Sequence, residues 1–224
     1  MQRKEPFVLG EFYHVYNRGV DKRIIFNSQE DYKRFIILLY LCNSSENIRL
    51  DYLIGFQKKK YSELLDLDVS EKIVSIGAWC LMPNHFHLVL KEEVEGGISK
   101  FMGKLCTAYS MYFNNKNDRK GPLFSGRFKS KNASNDKYLK HLFGYIHLNP
   151  LGIVLPKWEE ELKDSGGLID TGIRHLTGYK FSSFQEYIGI YRPECSIINK
   201  DAFIDYFKDA KSFKDFINSY LIVY

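Results

Sequence analysis

Between Lys72 and Lys91 the chain reads KIVSIGAWCLMPNHFHLVLK, two strand-forming runs separated by Pro83-Asn84. Pro-Asn is a turn signal, so Lys72 to Met82 is read as one strand and His85 to Lys91 as its return strand. Side chains two apart on a strand share a face. His85 and His87 therefore project together, while Phe86, Leu88 and Leu90 point the other way into a core. Two imidazoles side by side make a half-site for a divalent cation, although two ordinary surface histidines would give the same pattern.

Around this hairpin the other elements fall into an order. Phe12 to Arg18 is rich in aromatic and β-branched residues and reads as a strand ending at Gly19. Ser28 can cap a helix with Glu30 and Asp31 in its first turn and Tyr32, Phe35, Ile36 and Leu39 as its apolar stripe. Residues 44–72 look like an insertion, with one helix near Tyr61 to Leu67. After the loop Glu95-Gly96-Gly97, helical spacing runs from Ile98 to Asn114. A charged loop, Asn117 to Pro122, leads to a strand over Phe124 to Lys131. Ser134 or Asn135 then caps a helix that Pro150 ends. Strand, helix, strand, strand, helix, strand, helix predicts an α+β fold: a ferredoxin-like antiparallel sheet with helices on one face. The core is assigned to residues 1–150. A mainly helical C-terminal extension is assigned to 151–224, ending in an amphipathic helix from about Lys200 to Tyr220. Pro156 and Gly166-Gly167 interrupt the pattern near that boundary.

Composition narrows the function classes. With 45% hydrophobic and 16% aromatic residues the chain can bury a real core. No apolar run approaches the ~20 residues of a membrane span, and the N-terminus lacks a signal-peptide core. The four cysteines have no metal-binding spacing, so a reduced, cytoplasmic setting without membrane attachment is expected. The net charge of +5 is concentrated: residues 97–150 carry 10 Lys/Arg against 2 Asp/Glu, whereas 1–96 and 151–224 come to −1 and −2. A localised basic field suits a polyanion partner, and equally a solvated surface.

Two further groupings matter. In the helix Asp136 to Asn149 the apolar stripe is Leu139, Leu142, Phe143 and Ile146, and Tyr138, Tyr145 and Asn149 fall together on its flank. A hydroxyl and an amide one turn apart can thus reach the sheet face bearing His85 and His87, or Tyr145 can simply pack at the core rim. Arg127, Lys129 and Lys131 alternate and form a basic row, preceded by Lys116, Arg119 and Lys120. Such a row can track a nucleic-acid backbone or guard an edge strand against aggregation. Asn17 and Arg18, at the end of the first strand, are further candidates for DNA contact. His14, His141, His147 and His175 have no spacing that forces a metal role.

Together these segments resemble a known family. Tyr13-His14-Val15-Tyr16-Asn17-Arg18-Gly19, Met82-Pro83-Asn84-His85-Phe86-His87-Leu88, Gly121-Pro122-Leu123-Phe124-Ser125-Gly126-Arg127-Phe128-Lys129 and Tyr145-Ile146-His147-Leu148-Asn149-Pro150 are similar to the signature blocks of single-tyrosine HUH transposases. The nearest likeness is to the REP-associated branch, and Phe181-Ser182-Ser183-Phe184 resembles its Trp-Ser-Ser-Tyr block. The resemblance implies that His85, His87 and Asn149 hold Mg²⁺ or Mn²⁺. It implies that Tyr145 attacks single-stranded or hairpin DNA to form a 5′-phosphotyrosine link. The rival readings are a ferredoxin-like module that binds nucleic acid without cutting it, and a domesticated relative that nicks hairpins for its host. Both a monomer and a homodimer are compatible with the sequence.

Overall fold

The hairpin at Pro83-Asn84 forms the spine of the sheet in the computed structural model, which describes residues 6–46, 59–69, 71–156, 158 and 166–223. Strand β1 spans Phe12–Arg18, helix α1 Gln29–Leu41, a short α2 Tyr61–Leu64, β2 Val74–Met82 and β3 His85–Glu92. They are followed by α3 over Gly97–Lys116, β4 over Lys129–Asn132 and α4 over Asp136–Leu148. The strand order is β2-β3-β1-β4, and each neighbouring pair is antiparallel. The unit β1-α1-β2 straddles β3, and β3-α3-β4 straddles β1, which is the expected ferredoxin-like α+β arrangement.

Helices α1 and α3 share one face of the sheet. Phe35, Ile36 and Leu39 join Phe101, Met102, Leu105 and Tyr109 over Val15, Trp79, Phe86, Leu88 and Leu90. The opposite face is covered as well: α4 and the C-terminal extension bury Ala78, Cys80, Met82 and Val89. The composition of β2 explains why. A strand with one wet face alternates, but Val-Ser-Ile-Gly-Ala-Trp-Cys-Leu-Met is apolar on both sides, and every one of its positions is buried.

The extension supplies that second layer. Among the described residues its α-helices are α5 Leu151–Val154, α6 Gly166–Gly178, α7 Phe184–Tyr187 and α8 Ala210–Val223. Between α6 and α7 the chain runs along β2, where the Leu81 N–H donates to the Phe181 carbonyl (2.8 Å) and the Ser183 N–H to the Trp79 carbonyl (2.9 Å). Arg192 locks this segment: it forms two bonds to the Glu186 carboxylate (2.6 and 2.9 Å) and donates to the carbonyls of Lys180 and Ser182. Its guanidinium also lies 5.5 Å from the Trp79 ring.

Three element boundaries differ from expectation. The strand placed over Phe124 to Lys131 is confined to Lys129–Asn132, with Phe124 making only an isolated bridge to Gly19. Gly126 intervenes at φ +116°, a conformation open to glycine that turns the chain out of strand geometry. Arg127 is therefore outside β4. The last helix starts at Ala210 rather than near Lys200, because Asp209 caps it by accepting from the Ser212 N–H at 2.7 Å. The helix near Tyr61 closes at Leu64. Within the expected insertion, residues 47–58 and 70 lie outside the described residues, as do 157 and 159–165 near the 151–165 boundary. Among the described residues no helix is long and apolar enough to cross a membrane.

At Gly144, α4 and α8 approach each other closely. A Cβ there would sit 2.8 Å from the Tyr220 ring and 3.2 Å from Phe216. Gly144→Ala is expected to cost about 1–3 kcal/mol by overpacking, read as a lower urea midpoint. An unchanged midpoint would show that α8 does not bear tightly on α4.

Candidate active site

Register brings the chemistry-bearing side chains together. β1 and β3 pair with Tyr16 opposite His87 and Arg18 opposite His85, and β1 and β4 pair with His14 opposite Lys131 and Tyr16 opposite Lys129. Directly opposed residues share a face. Thus His14, Tyr16, Arg18, His85, His87, Lys129 and Lys131 all belong to the side of the sheet that α4 overlies.

On that face His87 is buried and at the centre. Its ring centroid lies 5.0 Å from those of both His14 and His85, and 5.6 Å from that of Tyr145, which meets it edge-on at 82°. Tyr145 also approaches His14 edge-on at 5.9 Å. Of the residues singled out by sequence, His87 therefore neighbours both His85 and Tyr145. Together His14, Tyr16, His87, Lys131, Tyr138, His141, Leu142 and Tyr145 line a cleft of about 340 Å³.

The hydrogen bonds orient the imidazoles. His85 Nδ1 lies 2.6 Å from Asn84 Oδ1. An amide oxygen only accepts, so Nδ1 carries the proton and the lone pair of His85 is on Nε2. His14 Nε2 and His87 Nδ1 are 2.9 Å apart, one donating to the other. Burial holds the pKa of His14 down to about 4, with Lys131 adding to it, and that of His85 down to about 4, with Arg18 adding to it. Burial likewise pushes His87 well below its ordinary value, helped by its two histidine neighbours. Neutral imidazoles whose second nitrogen is anchored by a polar neighbour are the form in which histidine ligates metals.

Asn149 caps α4 and is half-buried. Its backbone N–H and its side-chain amide both donate to the Tyr145 carbonyl, at 3.1 and 2.8 Å, leaving Oδ1 as the only oxygen its side chain could offer a cation. Two neutral imidazoles and an amide oxygen are chemically suited to a divalent ion. Among the described residues no group of three or more His, Cys, Asp or Glu side chains is arranged to hold one.

The basic candidates separate into those at the cleft and those away from it. Lys129 and Lys131 are exposed on the site face, and the Lys131 ammonium stands 4.4 Å from the Tyr138 ring centroid. Arg18 is exposed beside His85. Arg127 and Lys120 are exposed in the loops before β4. Arg119 is half-buried and braces its own loop, donating to Asn114 Oδ1 and the Pro122 carbonyl, each at 2.7 Å. Asn17 lies on the opposite face, buried, where its amide donates to the Gly126 carbonyl at 3.1 Å. It holds the glycine loop that carries Arg127.

Sequence spacing passed over His14 and His141. Alternation within Tyr13-His14-Val15-Tyr16 places His14 and Tyr16 on one face, but only strand pairing shows that this is the His87 face. His147, also left without a role, is fully buried: its Nδ1–H donates to the Phe143 carbonyl and its Nε2 accepts from the Ser183 hydroxyl, both at 2.8 Å. It thereby ties α4 to the segment along β2. Burial depresses its pKa to about 3, so the folded protein keeps it neutral while the unfolded chain protonates near 6.5. Its contribution to stability is complete above pH 6.5 and is lost as pH falls from there towards 3. Between pH 7.5 and 5.0 the loss amounts to about 2 kcal/mol. Urea midpoints should fall over that interval, and by less in His147→Gln; equal falls would assign the acid sensitivity elsewhere.

Comparison with known proteins gives one family. Residues 44–149 match the family described as IS200-like transposases. A search of curated protein sequences finds no match. Among solved structures, a REP-associated tyrosine transposase bound to a REP hairpin aligns over 87% of this chain and 90% of its own, at 14% identity and a TM-score of 0.49.

Proposed function

We propose that this chain, whose residues 44–149 match the family of IS200-like transposases, cuts and rejoins single-stranded or hairpin DNA with Tyr145 as its nucleophile. That match supports a transposase-type activity on DNA. The observation that carries the finer reading is the meeting of Tyr145 with the His87 and His14 rings, 5.6 and 5.9 Å away, at the wall of a cleft edged by Lys131.

In this reading the Tyr145 phenol oxygen attacks the scissile phosphorus and the bond to the 3′ oxygen breaks. The products are a 5′-phosphotyrosine link and a free 3′-hydroxyl, the phenolic proton leaving to solvent and the 3′ oxygen acquiring one. A phenol with a pKa near ~10 is a weak nucleophile at neutral pH, so positioning and a favourable electrostatic setting must do most of the work. Lys129, Lys131 and Arg18 hold the backbone by its phosphates. Asn84 and His14 orient His85 and His87, which with Asn149 would hold Mn²⁺ or Mg²⁺. A bound divalent ion there supplies charge neutralisation on the phosphate oxygens. The phosphotyrosine link retains the energy of the broken bond, so rejoining needs no nucleotide cofactor.

The test is incubation of the protein with hairpin oligonucleotides bearing single-stranded flanks, in Mn²⁺ or Mg²⁺, followed by a denaturing gel. A 3′-end label should migrate with the protein and a 5′-end label should appear on a shortened free strand. Binding without cleavage in either metal would return the chain to the class of non-cutting nucleic-acid binders. The reverse label pattern would overturn the 5′-phosphotyrosine assignment.

A further inference from the structure

Helix α4 presents three rings to the cleft: Tyr138, His141 and Tyr145, at positions i, i+3 and i+7. Their planes nearly coincide in direction. Tyr138 and His141 are inclined by 20° with centroids 6.3 Å apart, and His141 and Tyr145 by 13° at 6.5 Å. These steps are close to twice the ~3.4 Å rise between stacked bases. The middle ring is held from behind, since the Tyr220 hydroxyl of α8 lies 2.7 Å from His141 Nδ1. Lys131 stands over Tyr138, and Lys129 and Lys131 extend from the neighbouring strand.

Flat ring faces of one orientation, interleaved with cations and beginning at the proposed nucleophile, are what an unpaired nucleotide needs: stacking for the base and charge for the phosphate. The apolar stripe of α4 faces the core through Leu139, Leu142, Phe143 and Ile146; Tyr138 and Tyr145 pack at its rim, and with His141 they also line the cleft. We infer that Tyr138 and His141 form a stacking subsite for an unpaired nucleobase next to the scissile phosphate. The inference rests on the strand-cutting reading only for the position of that phosphate at Tyr145.

The experiment uses full-length Tyr145→Phe protein, so that binding is read without chemistry. Fluorescence anisotropy measures affinity for a hairpin oligonucleotide whose unpaired flank carries a single abasic site, moved one nucleotide at a time. One or two adjacent positions should lose affinity about 5- to 150-fold, matching the worth of a stacked base. Adding Tyr138→Leu, which keeps apolar bulk without the ring face, should weaken the intact oligonucleotide similarly and cost nothing further at the sensitive position. Tyr138→Trp should restore the base dependence. A flat abasic profile, an absence of binding, or a Tyr138→Leu loss equal for intact and abasic strands would overturn the subsite. Wild-type adduct formation is scored in parallel. An adduct with a flat abasic profile overturns the stacking subsite and spares the strand-cutting reading. Base-dependent binding without an adduct does the opposite.

Discussion

Tyr145→Phe is expected to remove the covalent protein–DNA adduct and to lower strand cleavage by on the order of 10³-fold or more, while DNA binding persists. The substitution deletes one oxygen. It keeps the ring that meets His87 and His14 edge-on and the backbone carbonyl to which Asn149 donates. A loss of cleavage therefore reports on the hydroxyl and not on the cleft. Tyr138 lines the same cleft and is the one alternative nucleophile on α4. An adduct that survives Tyr145→Phe and disappears in Tyr138→Phe would move the chemistry seven residues back along the helix.

The second large effect concerns stability. Arg192→Ala is expected to cost about 3–5 kcal/mol, because it strands a buried partner. The Glu186 side chain is 1% exposed and both its oxygens are held by Arg192. Burial already raises the Glu186 pKa, and Arg192 is the main opposing influence. Removing the guanidinium also abandons the carbonyls of Lys180 and Ser182 and the Trp79 ring. For a chain of this length the thermal midpoint should drop by roughly 6–20 °C. Arg192→Ala with Glu186→Gln should recover part of the loss, since the orphaned charge is gone. No recovery would assign the effect to the carbonyls instead.

What could be read from the residues follows from how local each cause is. Alternation places Phe86, Leu88 and Leu90 opposite His85 and His87, and the 3.6-residue period places Tyr138, Tyr145 and Asn149 on one flank of α4. Both are properties of a single element; the structure puts Phe86, Leu88 and Leu90 in the core and Tyr138 and Tyr145 together at the cleft, while Asn149 caps the end of α4. His14 could not be joined to His87 in that way, because the two are brought together by the register of β1 on β3, set by contacts far apart in the chain. Asn17 was grouped with its neighbour Arg18 as a candidate for DNA contact, yet in a strand neighbours face opposite ways, and Asn17 is turned into the interior. The start of β4 at Lys129, and not at Phe124, depends on the one backbone angle at Gly126. Tyr220 reaches His141 only because Gly144 lets α8 lie against α4.

The strip Phe181–Ser183 along β2 bears on how copies of this chain can meet. A sheet ends in unpaired backbone groups, which make its outer strand a template for a second chain. On the β2 side the N–H of Leu81 and the carbonyl of Trp79 are taken by the protein's own backbone. On the other side β4 is four residues long and carries Lys129 and Lys131, charges that discourage a neighbour from docking there. Growth of the sheet by strand addition is thus hindered at one border, over Trp79 to Leu81, and repelled at the other, and copies of this chain would have to peel the C-terminal extension away before they could pair along that stretch of β2.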